Sequence, residues 1–174
     1  MKSPPSLQTR PTSDRLRETL FNVIAPRIEG ARFLDLCSGS GAVGIEALSR
    51  GATHVTFVDR SRKMYALIES NLDPCDVPEE HTEVVLSEAA EFLRARSRQG
   101  DQWDIVFFDP PYAQNYLRVL ELVGARGLLA DDGLLVIEHR RKNELPEELG
   151  CLLRQRILKQ GDSALSFYEA KKSV

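Results

Sequence analysis

The sequence predicts an α/β protein: a doubly wound, mostly parallel sheet of seven strands, the last two forming a C-terminal antiparallel hairpin. Three observations carry this expectation. After Gly30, short β-branched and aromatic runs alternate with stretches of helical period, which is the pattern of βαβ repetition. The first of these runs empties into a glycine-rich turn, Ser38-Gly39-Ser40-Gly41, that opens a helix. Beyond Pro146 two strand-like segments, 152–159 and 164–170, flank Gln160-Gly161-Asp162, a hairpin signal.

Residues 1–9 are polar and proline-rich and are expected to form a flexible segment. Residues 10–174 are expected to make one domain, since 174 residues suit a single core and no linker, repeat or low-complexity tract interrupts them. A helix should start near Thr12 or Ser13, either of which can cap, with Asp14 favouring the positive end of the dipole. Leu16, Leu20, Val23 and Ile24 follow on one apolar face. Strands are expected at 32–37, 54–59, 82–86, 103–109 and 133–138, with helices at 42–50, 61–72, 88–97 and 115–126 between them.

Composition excludes several classes. With 42% hydrophobic and 28% charged residues the chain reads as soluble and globular, no apolar run has transmembrane length, and Met1-Lys2-Ser3-Pro4-Pro5-Ser6 has no signal-peptide core, so a cytoplasmic protein is expected, without membrane partners. Cys37, Cys75 and Cys151 are odd in number and lack C-x-x-C spacing, and His54, His81 and His139 are scattered, so neither a disulfide framework nor a metal site is expected. A net charge of −3 requires any nucleic-acid contact to come from a local basic patch. A monomer is the expected state.

The chemistry concentrates at two strand ends. Trp103 to Phe108 reads as a strand buried on both faces, and it ends in Asp109-Pro110-Pro111-Tyr112. Two prolines in a row supply no N–H groups, so the chain leaves the ladder there and its carbonyls become free to accept from a ligand. Asp109 and the Pro110 carbonyl can accept the two hydrogens of a base's amino group while Tyr112 stacks on its face, which makes these three the candidate catalytic residues. Upstream, Gly39 to Gly44 fits G-x-G-x-x-G, and Asp59 closes the next strand where a ribose-binding acid belongs. An adenosine-bearing cofactor follows. Asp35, in the strand ahead of the turn, suits a cationic group such as the amino group of S-adenosylmethionine better than a pyrophosphate, although it can also serve by capping the glycine turn. Glu88 and Ala89 follow the third strand, where a side chain and a backbone N–H can meet the adenine edge. Cys37 reads as a small packing residue, Glu46 and Arg50 as a structural helix pair, and Arg17 as a solvated side chain.

Leu34-Asp35-Leu36-Cys37-Ser38-Gly39-Ser40-Gly41, Asp59 and Asp109-Pro110-Pro111-Tyr112 together resemble the class I S-adenosylmethionine-dependent amino-methyltransferases. Arg10-Pro11-Thr12-Ser13-Asp14-Arg15 and the stretch from Gly44 through Ile45-Glu46-Ala47-Leu48-Ser49-Arg50-Gly51 to Ala52 add a resemblance to the RsmD family, bacterial guanine-N2 methyltransferases of small-subunit ribosomal RNA. It runs from about Arg10 to the end of the chain. The resemblance implies a Rossmann-like fold, S-adenosylmethionine as cofactor, 16S ribosomal RNA or the small ribosomal subunit as partner, and Arg10, Thr12 and Arg15 as substrate-binding residues. That family usually carries a basic β-hairpin ahead of the Arg-Pro-Thr stretch, and nine residues precede Arg10, which implies either a shortened chain or a different docking on RNA. The nearest other chemistry on the same tetrapeptide is N6-adenine methylation of DNA or RNA. A nicotinamide-dependent dehydrogenase would account for Gly39 to Gly44 but not for Asp35 or the proline pair. A non-catalytic RNA-binding module would account for the basic clusters but not for the turn.

Overall fold

Strand β1 (Arg32–Leu36) is the pivot of one eight-stranded sheet in the computed structural model, which describes residues 11–111, 116–125 and 127–171, with side chains from Asp14 onward. From β1 the chain winds outward through α2 (Ala42–Ser49), β2 (His54–Asp59), α3 (Arg62–Leu72) and β3 (Thr82–Leu86). It then returns through α4 (Ala89–Gln99) to lay β4 (Trp103–Phe108) on the other side of β1, and continues through α5 (Leu117–Gly124) to β5 (Leu129–Arg140). With β6 (Glu148–Leu149), β7 (Leu152–Gln160) and β8 (Ser163–Ala170) the strand order is β3-β2-β1-β4-β5-β8-β7-β6, with β1 to β5 parallel. The winding reverses between β1 and β4, and open α/β sheets bind ligands at the carboxyl ends of the strands at such a reversal.

The C-terminal hairpin, β7 (Leu152–Gln160) and β8 (Ser163–Ala170), pairs antiparallel with β5 through β8. All seven expected strands are present. An eighth, the two-residue β6 (Glu148–Leu149), pairs with β7 at the sheet edge, too short to leave a periodic signal. β5 also begins four residues before the expected 133, because Leu129 pairs with Trp103 ahead of a shift in register that absorbs the polar Asp131-Asp132.

Two apolar layers sandwich the sheet. On one face Leu16, Leu20, Phe21, Ile24 and Ile28 of α1 (Pro11–Ile28), Ala47 of α2 and Ile68 of α3 pack on Phe33, Phe57, Ile105, Phe107 and Val136. On the other, α4 and α5 pack Phe92, Leu93, Leu120 and Val123 on Leu34, Leu36, Val106, Phe108 and Ile137. Each strand alternates between these layers, so a run buried on both faces is what the sheet requires. Helix α1 starts at Pro11, whose missing N–H costs nothing in a first turn, and this puts Thr12 and Ser13 inside the helix and not at its cap as expected. Phe21 is fully buried where Val23 was expected to carry more of the face.

Candidate active site and family membership

The first half of the site is the turn after β1. Asp35 is 1% exposed, and its Oδ2 accepts from the Gly44 backbone N–H at 3.0 Å, tying the strand to the first turn of α2. Burial pushes its carboxyl up to about 7, against the Gly44 hydrogen bond that lowers it, with Asp59 raising it further. The capping role is therefore the contact that Asp35 makes. Ser38 donates from Oγ to the Asp35 carbonyl at 2.6 Å and accepts from Val58 N at 3.0 Å, so the turn is sewn to both strands. Gly39 and Gly41 take φ of +56° and +78°, conformations that a side chain would strain. At Gly44 the requirement is space: a Cβ there would stand 2.3 Å from Phe57 Cε1, so α2 sits on β2 only because this residue is glycine.

Asp59 ends β2 and faces the same turn. Its Oδ2 accepts from Gly39 N at 3.0 Å and its Oδ1 from Ser61 N at 2.9 Å. Each carboxylate oxygen has a second lone pair, so the residue can hold the turn and still accept from a ligand hydroxyl. Asn71 of α3, 3% exposed, donates from Nδ2 to the Ser40 carbonyl at 2.9 Å and pins the turn from the far side. Sequence reading missed it, since a lone asparagine on a helix belongs to no motif. Glu88 precedes α4 with half of its side chain exposed, 3.5 Å from Arg60 in an ion pair of little energetic weight, and Ala89 is buried.

The second half lies at the end of β4. The Asp109 N–H donates to the Leu36 carbonyl at 3.4 Å, carrying the β1–β4 ladder one residue past the strand. Pro110 is buried and Pro111 exposed, and among the described residues no donor takes the Pro110 carbonyl. Tyr112 lies outside the described residues. Burial pushes the Asp109 carboxyl well above the ordinary carboxylate range, helped by Glu138 and then by Asp35. Glu138, on β5 two residues before its end, is the other residue that sequence reading missed, and burial holds it up at about 7. Cys37 stands between the two halves with φ of +61°. Burial, then the charges of Asp59, Asp109, Asp35 and Glu88, push its thiol up to about 12, which suits the packing role expected of it.

Of the expected substrate residues, Arg10 and the Thr12 side chain lie outside the described residues. Thr19 Oγ1 donates to Gln160 Oε1 at 3.2 Å near the Arg140–Ser163 row, whereas Arg27 reaches the Asp132 carbonyl and Glu169 at the opposite edge. Helix α1 thus points its first turn toward the edge where β1 and β4 end, and carries the exposed Arg15 there. Arg17 is not solvated as expected: its Nε donates to Glu46 Oε2 at 2.8 Å while Arg50 holds Glu46 Oε1, so one carboxylate clamps α1 to α2. Among the described residues no three His, Cys, Asp or Glu side chains are arranged to hold a metal ion, and no helix is long and apolar enough to cross a membrane.

A glycine turn braced by two carboxylates thus stands beside a strand-ending Asp-Pro-Pro at the carboxyl ends of β1 and β4, the edge at which open α/β sheets bind ligands. The family model described as "Conserved hypothetical protein 95" matches residues 1–169. "Ribosomal RNA small subunit methyltransferase D" of Escherichia coli (strain K12) is 40% identical over 82% of this chain and 70% of its own length. The chain belongs to this family, the RsmD methyltransferases. A Bacillus subtilis (strain 168) relative, "Putative rRNA methyltransferase YlbH", is 38% identical over 98% of the chain and 93% of its own length. Among solved structures, "Putative methyltransferase yhhF" from Escherichia coli superposes with a TM-score of 0.84 at 33% identity, covering 99% of this chain and 92% of that one. The RsmD sheet is thus the sheet described above, and the expected Rossmann-like, mostly parallel architecture with its C-terminal hairpin is the one found.

Proposed function

We propose that this RsmD-family chain methylates the exocyclic N2 amine of a guanine in small-subunit ribosomal RNA, with S-adenosylmethionine as methyl donor. The observation that carries the reading is the position of Asp109 and the Pro110 carbonyl, which takes no donor among the described residues, at the β1–β4 reversal beside the braced glycine turn. The name of the Escherichia coli relative supports ribosomal RNA of the small subunit as the substrate class. The turn fits the cofactor: the space in front of Gly39 is open, Asp59 keeps lone pairs for ribose hydroxyls, and the acids around Cys37 suit a cation and repel a pyrophosphate. When bound, the cofactor supplies an electrophilic methyl group on a sulfonium.

The protein's share is orientation and charge. Asp109 and the Pro110 carbonyl accept the two amine hydrogens, which turns the nitrogen lone pair out of conjugation and toward the methyl. Positive charge grows on that nitrogen as it is methylated, and the Asp109 carboxylate stabilises it before taking the proton released. Tyr112 stacks on the base, which must leave its own stack to reach a strand end. The test is methylation of small-subunit RNA and of assembled small subunits with labelled cofactor, followed by nucleoside analysis, with DNA as the control. N2-methylguanosine supports the reading. N6-methyladenine in either nucleic acid replaces it.

A further inference from the structure

Glu138 lies on β5, two residues before its end and one step beyond the register pair Phe108 and Ile137, which sets it beside Asp109 just past β4. The alternation that sends Ile105, Phe107, Leu134 and Val136 to the α1 face sends both acids there too, the face on which Asp35 lies. Adjacent strands stand about 4.8 Å apart, so the two carboxyl groups meet at one spot. Among the described residues no hydrogen-bond donor or cation engages the Glu138 carboxyl, and burial alone holds it up at about 7. Two neighbouring acceptors out of full solvation and without donors are costly unless a ligand brings donors to them.

We propose that Glu138 is the residue that selects guanine: it accepts the ring N1–H while Asp109 takes a hydrogen of the adjacent N2 amine. This rests on the reading of the reaction given above, and adds what distinguishes the base. Guanine's Watson–Crick edge presents N1–H and N2–H2 side by side, two donors for two carboxyls. Adenine and cytosine also offer an amine, but the ring nitrogen beside it carries a lone pair, which a second carboxylate repels. Asp109 and Pro110 alone would accept any of these amines. Glu138 supplies the rejection.

The test compares two RNAs. Once the methylated guanine has been located, the small-subunit RNA is rebuilt by ligation with 2-aminopurine at that position, which keeps the 2-amine but has a lone pair at N1. The wild-type protein is expected to prefer guanine, and Glu138→Ala to lower kcat/KM on guanine by roughly ten- to a hundredfold, the loss of one hydrogen bond to a charged group, while raising it on 2-aminopurine, whose N1 lone pair no longer faces a carboxyl group. Glu138→Gln, which can turn its amide N–H2 toward a bare N1, is expected to move the preference toward 2-aminopurine; it is also the variant that carries the test if the alanine variant fails to fold. Binding of S-adenosylhomocysteine, followed by calorimetry, should stay at the wild-type level in the folded variants. A guanine to 2-aminopurine ratio unmoved by either substitution overturns the role of Glu138 and leaves the reaction standing. A wild-type protein that methylates no guanine in either RNA or assembled subunits overturns the reaction, and this inference with it.

Discussion

Asp59 offers the sharpest separation of folding from binding, because one carboxylate serves both. Replacing it by alanine strands the Gly39 and Ser61 N–H groups, now held at 3.0 and 2.9 Å. Both lie at a half-buried site that water partly reaches, so the cost is about 1 kcal/mol for each bond and about 2 kcal/mol in all. For a chain of this size that lowers Tm by about 4 to 8 °C. The ribose contact is a further term of about 1 to 3 kcal/mol, a weakening of S-adenosylhomocysteine binding by roughly five- to a hundred-and-fifty-fold. Thermal unfolding with and without ligand reads the two separately. At a ligand concentration a hundred times the wild-type Kd, the wild type should gain about 2.7 kcal/mol, and a variant binding tenfold more weakly only about 1.4 kcal/mol. Asp59→Asn keeps one acceptor oxygen but turns an N–H2 toward the other N–H, so its stability should fall between. A ligand-free Tm unchanged in Asp59→Ala refutes the clamp on the turn, and a ligand-induced gain equal to the wild type's removes Asp59 from the cofactor site.

Asp109→Asn should retain measurable methylation and Asp109→Ala lose most of it, because a carboxamide still accepts a hydrogen bond but forfeits the charge; single-turnover rates at saturating cofactor decide, and equal inactivity of the two would make the charge or the proton indispensable. Burial raises the Asp35 carboxyl from 3.8 to about 7, so the folded state binds the proton more tightly than the unfolded one and stability should decline as pH rises between those values; Asp35→Asn, which still accepts from Gly44, should flatten that decline in urea titrations run across the range, and a slope identical to wild type would refute it. Gly44→Ala should cost roughly 1 to 3 kcal/mol by driving a methyl into the Phe57 ring, and combination with Phe57→Leu should recover part of it in the same unfolding assay. Arg15→Ala should lower the log–log salt slope of RNA binding by about 0.7 to 0.9 if it holds one phosphate, and an unchanged slope would return Arg15 to the solvated face of α1.

What the sequence made legible is what short-range physics determines. A run such as Trp103 to Phe108 has to be a doubly buried strand, and a glycine-rich turn has to join strand to helix, so the mostly parallel sheet with its closing hairpin and the placement of Asp35, Gly39, Gly41, Asp59 and Asp109 along it followed. Register across strands has no such local trace. Glu138 follows a buried run as Asp109 does, but its meaning lies in being the next step after the Phe108–Ile137 pair, contributed by a strand that begins some twenty residues later in the chain. Arg17 looked like any cation on an amphipathic helix, and only the packing of α1 against α2 brings it to Glu46. The start of α1 turned on a choice between Thr12 as a cap and Pro11 as a first helical residue, both sound locally.

The charge layout of the site also bears on how a nucleic acid can approach it. The strand ends hold Asp35, Asp59, Asp109 and Glu138, a floor of carboxyl groups that repels phosphate wherever they ionise. Past Glu138 and the buried His139, at the rim, come the exposed Arg140, Arg141 and Lys142, and Arg15 is carried toward the same edge by α1. An acidic chain with this arrangement admits RNA in only one posture: the backbone stays on the rim, where its phosphates meet cations, and a single neutral base is turned out of its stack and down into the floor. A duplex cannot meet both demands, since its bases stay level with its phosphates. The separation of the two charge layers therefore favours an unpaired or easily unpaired guanine, and binding to a single-stranded loop should exceed binding to the same sequence held in a duplex. Equal affinity for the two, measured at one salt concentration, would mean that the rim alone carries the interaction and that the floor plays no part in choosing the substrate.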